Sequence, residues 1–458
     1  MCSAMPAARR EMHEGTTSHA VMFGLDPLWV AVTLLLVVYA VVMLEKFNRA
    51  VLSILGAGMM ILSGVLTQAQ AVAGIDFNTI GLLTGMMIIV AISQKTGVFQ
   101  YVAIWSAKLV RGHPIGVIFM LSSVTALFSA FLDNVTTVLL IAPVTLLITD
   151  ALGVRPYPYL FAEILASNIG GTATLIGDPP NIMIGSQAHL SFYDFLVNLT
   201  PVIPVIFACT MLLVWWMFRT DLVASEEKRQ LIMAFNERDA IKDVVLLKKS
   251  LFVLFAVIGG FTVAHHLHLE PATIAMFGAA LLLLLQTWGL PLQEKDHAFE
   301  GVMSEVEWTT IFFFVGLFII VTGVEHTGAI AWLAGKTLGL TGGDFNATAA
   351  AILWISAIAS AVIDNIPFVA TMIPMIENMA PSFGGEMQIQ PLWWALALGA
   401  CLGGNGSLIG ASANLIVAGF AQRAGHPIAF LTFTKHAFGL MLLSVALAHA
   451  YLYVRYLY

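Results

Sequence analysis

Long apolar runs separated by short polar stretches fill the chain. Runs able to cross about 30 Å of hydrocarbon lie at 28–44, 50–67, 79–93, 159–186, 201–218, 250–268, 272–289, 309–326, 392–420 and 435–454, which predicts ten membrane crossings. Two further apolar segments, 115–150 and 345–380, carry an Asp-Asn pair, Asp133-Asn134 and Asp364-Asn365, followed nine residues after the Asn by Pro143 and Pro374. An Asp at a helix centre in lipid costs roughly 2.5–3.5 kcal/mol, and Pro interrupts helical hydrogen bonding. These two segments predict re-entrant hairpins whose polar tips are shielded by protein.

The pattern occurs twice. FLDNVTTVLLIAP returns 231 positions later as VIDNIPFVATMIP, and GGTATLIGDPPN, beginning at Gly170, returns 233 positions later as GGNGSLIGASAN, beginning at Gly403. Asp76 and Glu307, Gly85 and Gly316, and Thr96-Gly97 and Thr327-Gly328 share the first offset. One register with one small slip marks a doubled unit. In each second motif the glycines disfavour helix by about 1 kcal/mol each, and Pro179-Pro180 by more. Broken helices are therefore predicted over 159–186 and 392–420, where free backbone groups and Asn, Thr and Ser side chains can hold a polar solute. The alternative is that the glycines serve only close helix packing.

Charge placement gives the orientation. Sixteen of the 20 basic residues fall within 45–49, 94–114, 151–158, 219–249, 290–308 and 421–435, leaving only Arg9, Arg10, Lys336 and Arg455 elsewhere. The positive-inside rule puts those six segments in the cytoplasm. Each half then holds five spans and one hairpin, and an odd number of spans turns the second half upside down. The predicted fold is an all-α polytopic membrane protein of two inverted repeats, each with five transmembrane helices and one re-entrant hairpin, with broken helices at the midplane. Its parts are a polar tail (1–27), a first repeat (28–218), a cytoplasmic linker (219–249) and a second repeat (250–458).

Composition agrees: 59% hydrophobic residues, 10% charged and a mean hydropathy of +0.89 lie far from a soluble domain. A formal charge of −7 excludes a basic field for nucleic acid, and three scattered cysteines, Cys2, Cys209 and Cys401, form no disulfide framework. No nucleophile, base and orienter occur in a recognisable arrangement, so no enzyme and no cofactor is expected. His265, His266 and His268 read as a solvated turn rather than a metal site, and Asp76 and Glu307 as helix caps. Asp178 reads as a turn former with Pro179-Pro180, ion coupling being its alternative. The copies differ at Thr136-Thr137 against Pro367-Phe368 and at Asp178 against Ala411, which makes the first half the more polar. Asp133 and Asp364 read as proton carriers or as hydrogen-bonded caps of the hairpin helices.

At FLDNVTT and NIGGTATLIGDPPN the sequence resembles the ion transporter superfamily, and within it the arsenite permease and type D sodium/proton antiporter family, which includes P-protein-like permeases. The resemblance spans about 28–454. It implies a scaffold domain holding a mobile transport domain with the two hairpins and the two broken helices. By it, Asn134, Thr137, Asn168, Thr172, Asn365, Asn405, Ser407 and Asn414 contact the solute, and Asp133 and Asp364 couple protons. Dicarboxylate carriers of the superfamily have Ser-Asn-Thr at both breaks, whereas this chain has Ser167-Asn168-Ile169 and Gly404-Asn405-Gly406, with no Arg or Lys inside a predicted break. A neutral solute or a cation suits such a site better. The expectation is a proton-coupled efflux carrier for arsenite and antimonite in a bacterial inner membrane, with a sodium/proton antiporter as the alternative and, behind it, an anion or dicarboxylate carrier or a channel. A homodimer and an arsenical ATPase subunit are the partners the resemblance suggests.

Overall fold

Polar residues ending the loops become helix caps: Asp26, Asn48, Asp76, Asp133, Asp243, Asp344 and Asp364 each accept a first-turn N–H through the side chain. The computed structural model describes residues 24–44 and 46–457, and the backbone but not the side chains of His265 and His266. Most of the expected polar tail, 1–23, lies outside the described residues.

Among the described residues the regular elements are all helical. The first half holds α1 (Pro27–Met43), α2 (Arg49–Leu62), α3 (Phe77–Lys95), α4 (Val98–Leu109), α5 (Pro114–Phe131), α6 (Asn134–Leu152), α7 (Tyr157–Gly171), α8 (Pro179–Gln187) and α9 (Ile203–Phe218). The second repeats the order as α10 (Val244–Val263), α11 (Pro271–Thr287), α12 (Trp308–His326), α13 (Ala329–Leu340), α14 (Phe345–Val362), α15 (Asn365–Met379), α16 (Gln390–Gly403), α17 (Ser412–Arg423) and α18 (Phe430–Leu452). Shorter helices, among them Gln68–Ala73, Phe192–Asn198, Glu226–Ala234 and Leu292–Met303, lie between these.

The expected ten crossings are not all single long helices. Among the described residues seven helices are long and apolar enough to span a membrane, three of them (α5, α6 and α14) arms of the expected hairpins, and Phe192–Asn198 with α9, bent by 55°, makes an eighth if the pair counts as one span. The run 50–67 is helical only to Leu62, because Gly64 takes a left-handed conformation (φ 82°). The hairpins turn at the Asp-Asn pairs, between α5 and α6 and between α14 and α15, while Pro143 and Pro374 lie inside the second arms.

The halves interlock by exchange. α2 packs on α12 of the other half and α11 on α3, while α6 packs on α17 and α8 on α15. Glycine makes the closest crossings: a Cβ on Gly316 would lie 2.4 Å from the Ser53 carbonyl carbon, and one on Gly85 2.6 Å from that of Ala275. α7 and α16 are buried from Pro158 to Gly171 and from Leu392 to Gly403, so the broken helices form the centre. Leu36, Phe252, Phe255 and Phe277 are exposed, as lipid-facing side chains are.

The linker docks on the first half. Lys108 Nζ donates to Phe235 O (2.8 Å) and pairs with Glu237 Oε2 (2.5 Å), and Lys242 N donates to Thr96 O (3.0 Å). The Lys108 hydrogen bond holds the Glu237 carboxyl below its usual range. α10 begins at Val244, capped by Asp243, six residues before the expected start of the second repeat.

The breaks depend on contacts that leave no room for a side chain. A Cβ on Gly170 would stand 2.1 Å from Ala126 O, whereas one on Gly58 in α2 would meet nothing within 4 Å. Gly170→Ala should lower the thermal midpoint in detergent, overpacking costing about 1–3 kcal/mol, while Gly58→Ala should leave it unchanged or raise it by up to about 1 kcal/mol of helix preference. Equal midpoints for the two variants would contradict this packing.

Candidate functional site

Each hairpin tip places a carboxylate where a helix starts. Asp133 caps α6, accepting Thr136 N (2.7 Å) and the Thr136 hydroxyl. Asp364 caps α15, accepting Ile366 N (3.0 Å) and the Ser412 hydroxyl (2.9 Å).

The two breaks are built by one repeated scheme. Ser129 and Ser360 donate to Ser167 O and Ala400 O (both 2.6 Å), tying each hairpin to its broken helix. Thr174 donates to Ala130 O, as Ser407 does to Ala361 O (2.6 Å). One carboxamide then satisfies the free carbonyls of each break. Asn181 Nδ2 donates to Gly171 O (3.4 Å), Thr172 O (3.3 Å) and Thr174 O (2.9 Å), and Asn414 Nδ2 to Gly404 O and Ser407 O (both 2.8 Å).

The halves meet at Asn168. Its Nδ2 donates across to Asn405 Oδ1 (3.0 Å) and Asn414 Oδ1 (2.9 Å), and its Oδ1 accepts from Asn134 Nδ2 (3.3 Å). The equivalent residue of the second half is Cys401, whose Sγ donates to Asn181 Oδ1 (3.5 Å). Asn365 joins neither set: its Nδ2 faces Asp178 Oδ1 (3.3 Å) and Oδ2 (3.4 Å). Of the eight expected contact residues, Asn134, Asn168, Asn405 and Asn414 thus form one network. The Thr172 hydroxyl is engaged by Asn168 O (2.7 Å) and that of Ser407 by Ala361 O, so both hold backbone. Asn134 Oδ1, Thr137 Oγ1 and Asn405 Nδ2 are buried without a hydrogen-bond partner.

Besides Asn181, Cys401 and the Ser129, Thr174 and Ser360 hydroxyls that tie the breaks, two ionisable residues of the site were not among those the sequence selected for it. Asp178 is fully buried at the start of α8: its backbone carbonyl accepts Asn181 N (2.9 Å) in the expected turn with Pro179-Pro180, while its side chain makes no capping bond and faces Asn365 at the second hairpin tip. Its signal was the mismatch with Ala411. Arg49 is the other. No Arg or Lys lies inside a break, yet Arg49 reaches one from the start of α2: Nη1 donates to Ser412 Oγ (2.6 Å) and lies 3.8 Å from Asp364 Oδ2, and Nη2 donates to Thr310 Oγ1 (2.8 Å). Nothing in spacing links it to Asp364. A cavity of about 600 Å³ opens on this cluster, lined by Tyr39, Arg49, Glu307, Phe313, Asp364 and Ser412 among others. Asp76 caps α3 as expected, but Glu307 accepts only the Thr310 hydroxyl (3.0 Å) and gives α12 no side-chain cap. Among the described residues no three His, Cys, Asp or Glu side chains are grouped to hold a metal, and the side chains of His265 and His266 lie outside them.

Residues 39–399 match the family described as citrate transporter, CitMHS. An uncharacterized transporter of Mycobacterium tuberculosis is 43% identical over 431 residues, 93% of this chain and 98% of that protein. The P protein of Homo sapiens is 34% identical over 506 residues, 93% of this chain and 59% of P protein. In fold, the chain is similar to the YdaH transporter of Alcanivorax borkumensis (TM-score 0.56, 15% identity, 94% of this chain and 98% of that one). It is similar too to MtrF of Neisseria gonorrhoeae, described within a class of antimetabolite efflux pumps (TM-score 0.55, 11% identity, 95% and 96%).

The network separates structural from free groups. Asn414→Ala removes donors from Gly404 O and Ser407 O and the acceptor of Asn168 Nδ2, and should destabilise by about 2–4 kcal/mol. Thr137→Val removes a hydroxyl with no partner and should change stability by less than about 1 kcal/mol. Chemical unfolding of the purified variants checks both, and a destabilised Thr137→Val would show that the hydroxyl is engaged.

Proposed function

The chain belongs to the citrate transporter family CitMHS, and we propose that as a member of it the protein carries arsenious acid, and with it antimonite, outward across the inner membrane in exchange for protons. It is a multi-pass secondary transporter and not an enzyme. One observation carries the choice of solute. The centre at Asn168 is built of carboxamides, contains no cation, and holds buried Asn134 Oδ1, Thr137 Oγ1 and Asn405 Nδ2 without partners. Donors and acceptors without charge suit an uncharged solute with three hydroxyls, each hydrogen bond contributing about 0.5–1.5 kcal/mol and so remaining reversible.

Asp133 and Asp364 are the coupling carboxylates of this reading. Under the orientation given by the basic residues, the cavity at Arg49 opens toward the cytoplasm, and alternating access closes it as the hairpins and broken helices move against the remaining helices. Arg49 beside that cavity, together with the family's description, supports a second reading in which a carboxylate such as citrate is the solute.

Inverted vesicles with an imposed pH gradient test these readings. Arsenite should accumulate, Asn168→Ala or Asn405→Ala should lower its uptake by about tenfold, the effect of roughly 1.4 kcal/mol of lost binding, and Asp133→Asn or Asp364→Asn should abolish gradient-driven uptake. A protein with Cys2, Cys209 and Cys401 replaced by Ala should keep transport, since in this reading carboxamides and not thiolates hold the solute and, of the two described cysteines, only Cys401 bonds to a residue of the centre. Uptake of citrate instead would establish the second reading, and sodium flux alone a sodium/proton antiporter. For orientation, a single cysteine placed within 226–240 of the cysteine-free protein should resist an impermeant thiol reagent in intact cells; labelling there would reverse the assignment of faces.

A further inference from the structure

α7 carries a carboxylate outside the site described above. Glu163 lies one helical turn before Ser167, 1% exposed, among α5, α6 and α7. Its Oε1 accepts from the Thr145 hydroxyl of α6, and its Oε2 is buried with no partner. Among the described residues no Lys, Arg or His pairs with it. α5 has no ionisable side chain, and α6 has only its Asp133 cap and exposed Asp150. α9 brings only Cys209, α16 only Cys401, and α17 only Arg423, exposed and 4.6 Å from the Phe420 ring. α18 brings Lys435, His436 and His449; His436 Nδ1 is bonded to Tyr157 of α7 (3.0 Å), and the Tyr159 hydroxyl donates to Pro114 O (3.2 Å).

The second half builds the same place without a carboxylate. In the register that pairs Pro158 with Pro391 and Pro143 with Pro374, Glu163 corresponds to Leu396 and Thr145 to Ile376, both fully buried. The fold therefore accepts an apolar pair here, and a buried carboxyl without a cation costs several kcal/mol if ionised. The polar stripe also leads to the site: Ser167 donates to Asn134 O (3.0 Å), and its counterpart in the second half is Ala400. Asp133 and Asp364 serve as cap acceptors, so a proton on either competes with a cap, whereas Glu163 Oε2 is free to take one.

We propose that Glu163 is a proton-binding site of the transport cycle, its Oε2 taking a proton from water on one side of the membrane and returning it to water on the other. The proposal rests on the proton-coupled reading above. Two variants of the full-length protein test it: Glu163→Gln, and Glu163→Leu with Thr145→Ile, which imports the apolar pair of the second half and keeps the question open to measurement if the first fails to fold. In infrared pH titration the wild type should show a buried carboxylic-acid C=O band that both variants lack. In liposomes under a one-unit pH gradient, worth about tenfold in accumulation for each coupled proton, the variants should lose about tenfold relative to wild type while keeping solute counterflow. An unchanged band, or unchanged accumulation despite its loss, overturns the proposal. If the wild type accumulates neither arsenite nor citrate under the gradient, the proton-coupled reading fails in the parent protein and the role of Glu163 fails with it; failure confined to the variants' behaviour leaves that reading standing.

Discussion

A helix that stops inside an apolar interior leaves carbonyl and N–H groups without water, each costly if unpaired. The protein meets this twice with one carboxamide. Asn181 lies ten residues beyond Gly171, and Asn414 ten beyond Gly404, each folding its amide back onto carbonyls of its own break. That leaves the carboxamide oxygen pointing outward, where the opposite half reaches it through Asn168 in one direction and Cys401 in the other. The same two carboxamides thus satisfy the broken backbone through nitrogen and join the two halves through oxygen. The glycines fit the same demand, since Gly177 O lies 2.5 Å from a Cβ placed on Gly171.

A doubled scaffold holds chemistry that is largely single. Asn168 corresponds to Cys401 in the repeat register, Asp178 to Ala411, Glu163 to Leu396, and Thr145 to Ile376. In each pair the more polar member stands in the first half. Arg49 follows the same rule: it begins α2, whereas Pro271 begins α11, and it turns the second hairpin tip into a charged cluster that the first tip lacks. An inverted repeat supplies two similar faces, and these substitutions make one of them the chemical face.

The hairpin tips combine two requirements. An N-cap needs an acceptor for first-turn N–H groups, and a transport centre in a membrane needs a polar group shielded from lipid. Asp133, buried, and Asp364, half-buried, each supply the cap acceptor from within protein. Thr136 completes the first tip and Ser412 the second, one from the same helix and one from the opposite half. The second tip therefore depends on how the halves are docked, and the first does not.

Backbone demands were legible in the sequence because they are local. Gly-Gly, Pro-Pro and the Asp-Asn pairs fix where helices break and turn whatever surrounds them, and two copies in one register revealed the doubled fold and the residues, though not the bonds, of the network at Asn168. The bland reading of Asp133 and Asp364 as caps was legible for the same reason. Side-chain partners were not. Arg49 with Asp364, Asn365 with Asp178, and Asn168 with Asn405 and Asn414 join residues far apart in the chain, 187 positions for Asn365 and Asp178 and 246 for Asn168 and Asn414. Those pairings follow from how far each helix is rotated and how deep it sits, and packing across the whole molecule sets both. For the same reason sequence could place Thr172 and Ser407 at the breaks, but only the tertiary structure decided that their hydroxyls are taken by backbone carbonyls while Thr137 keeps its own free.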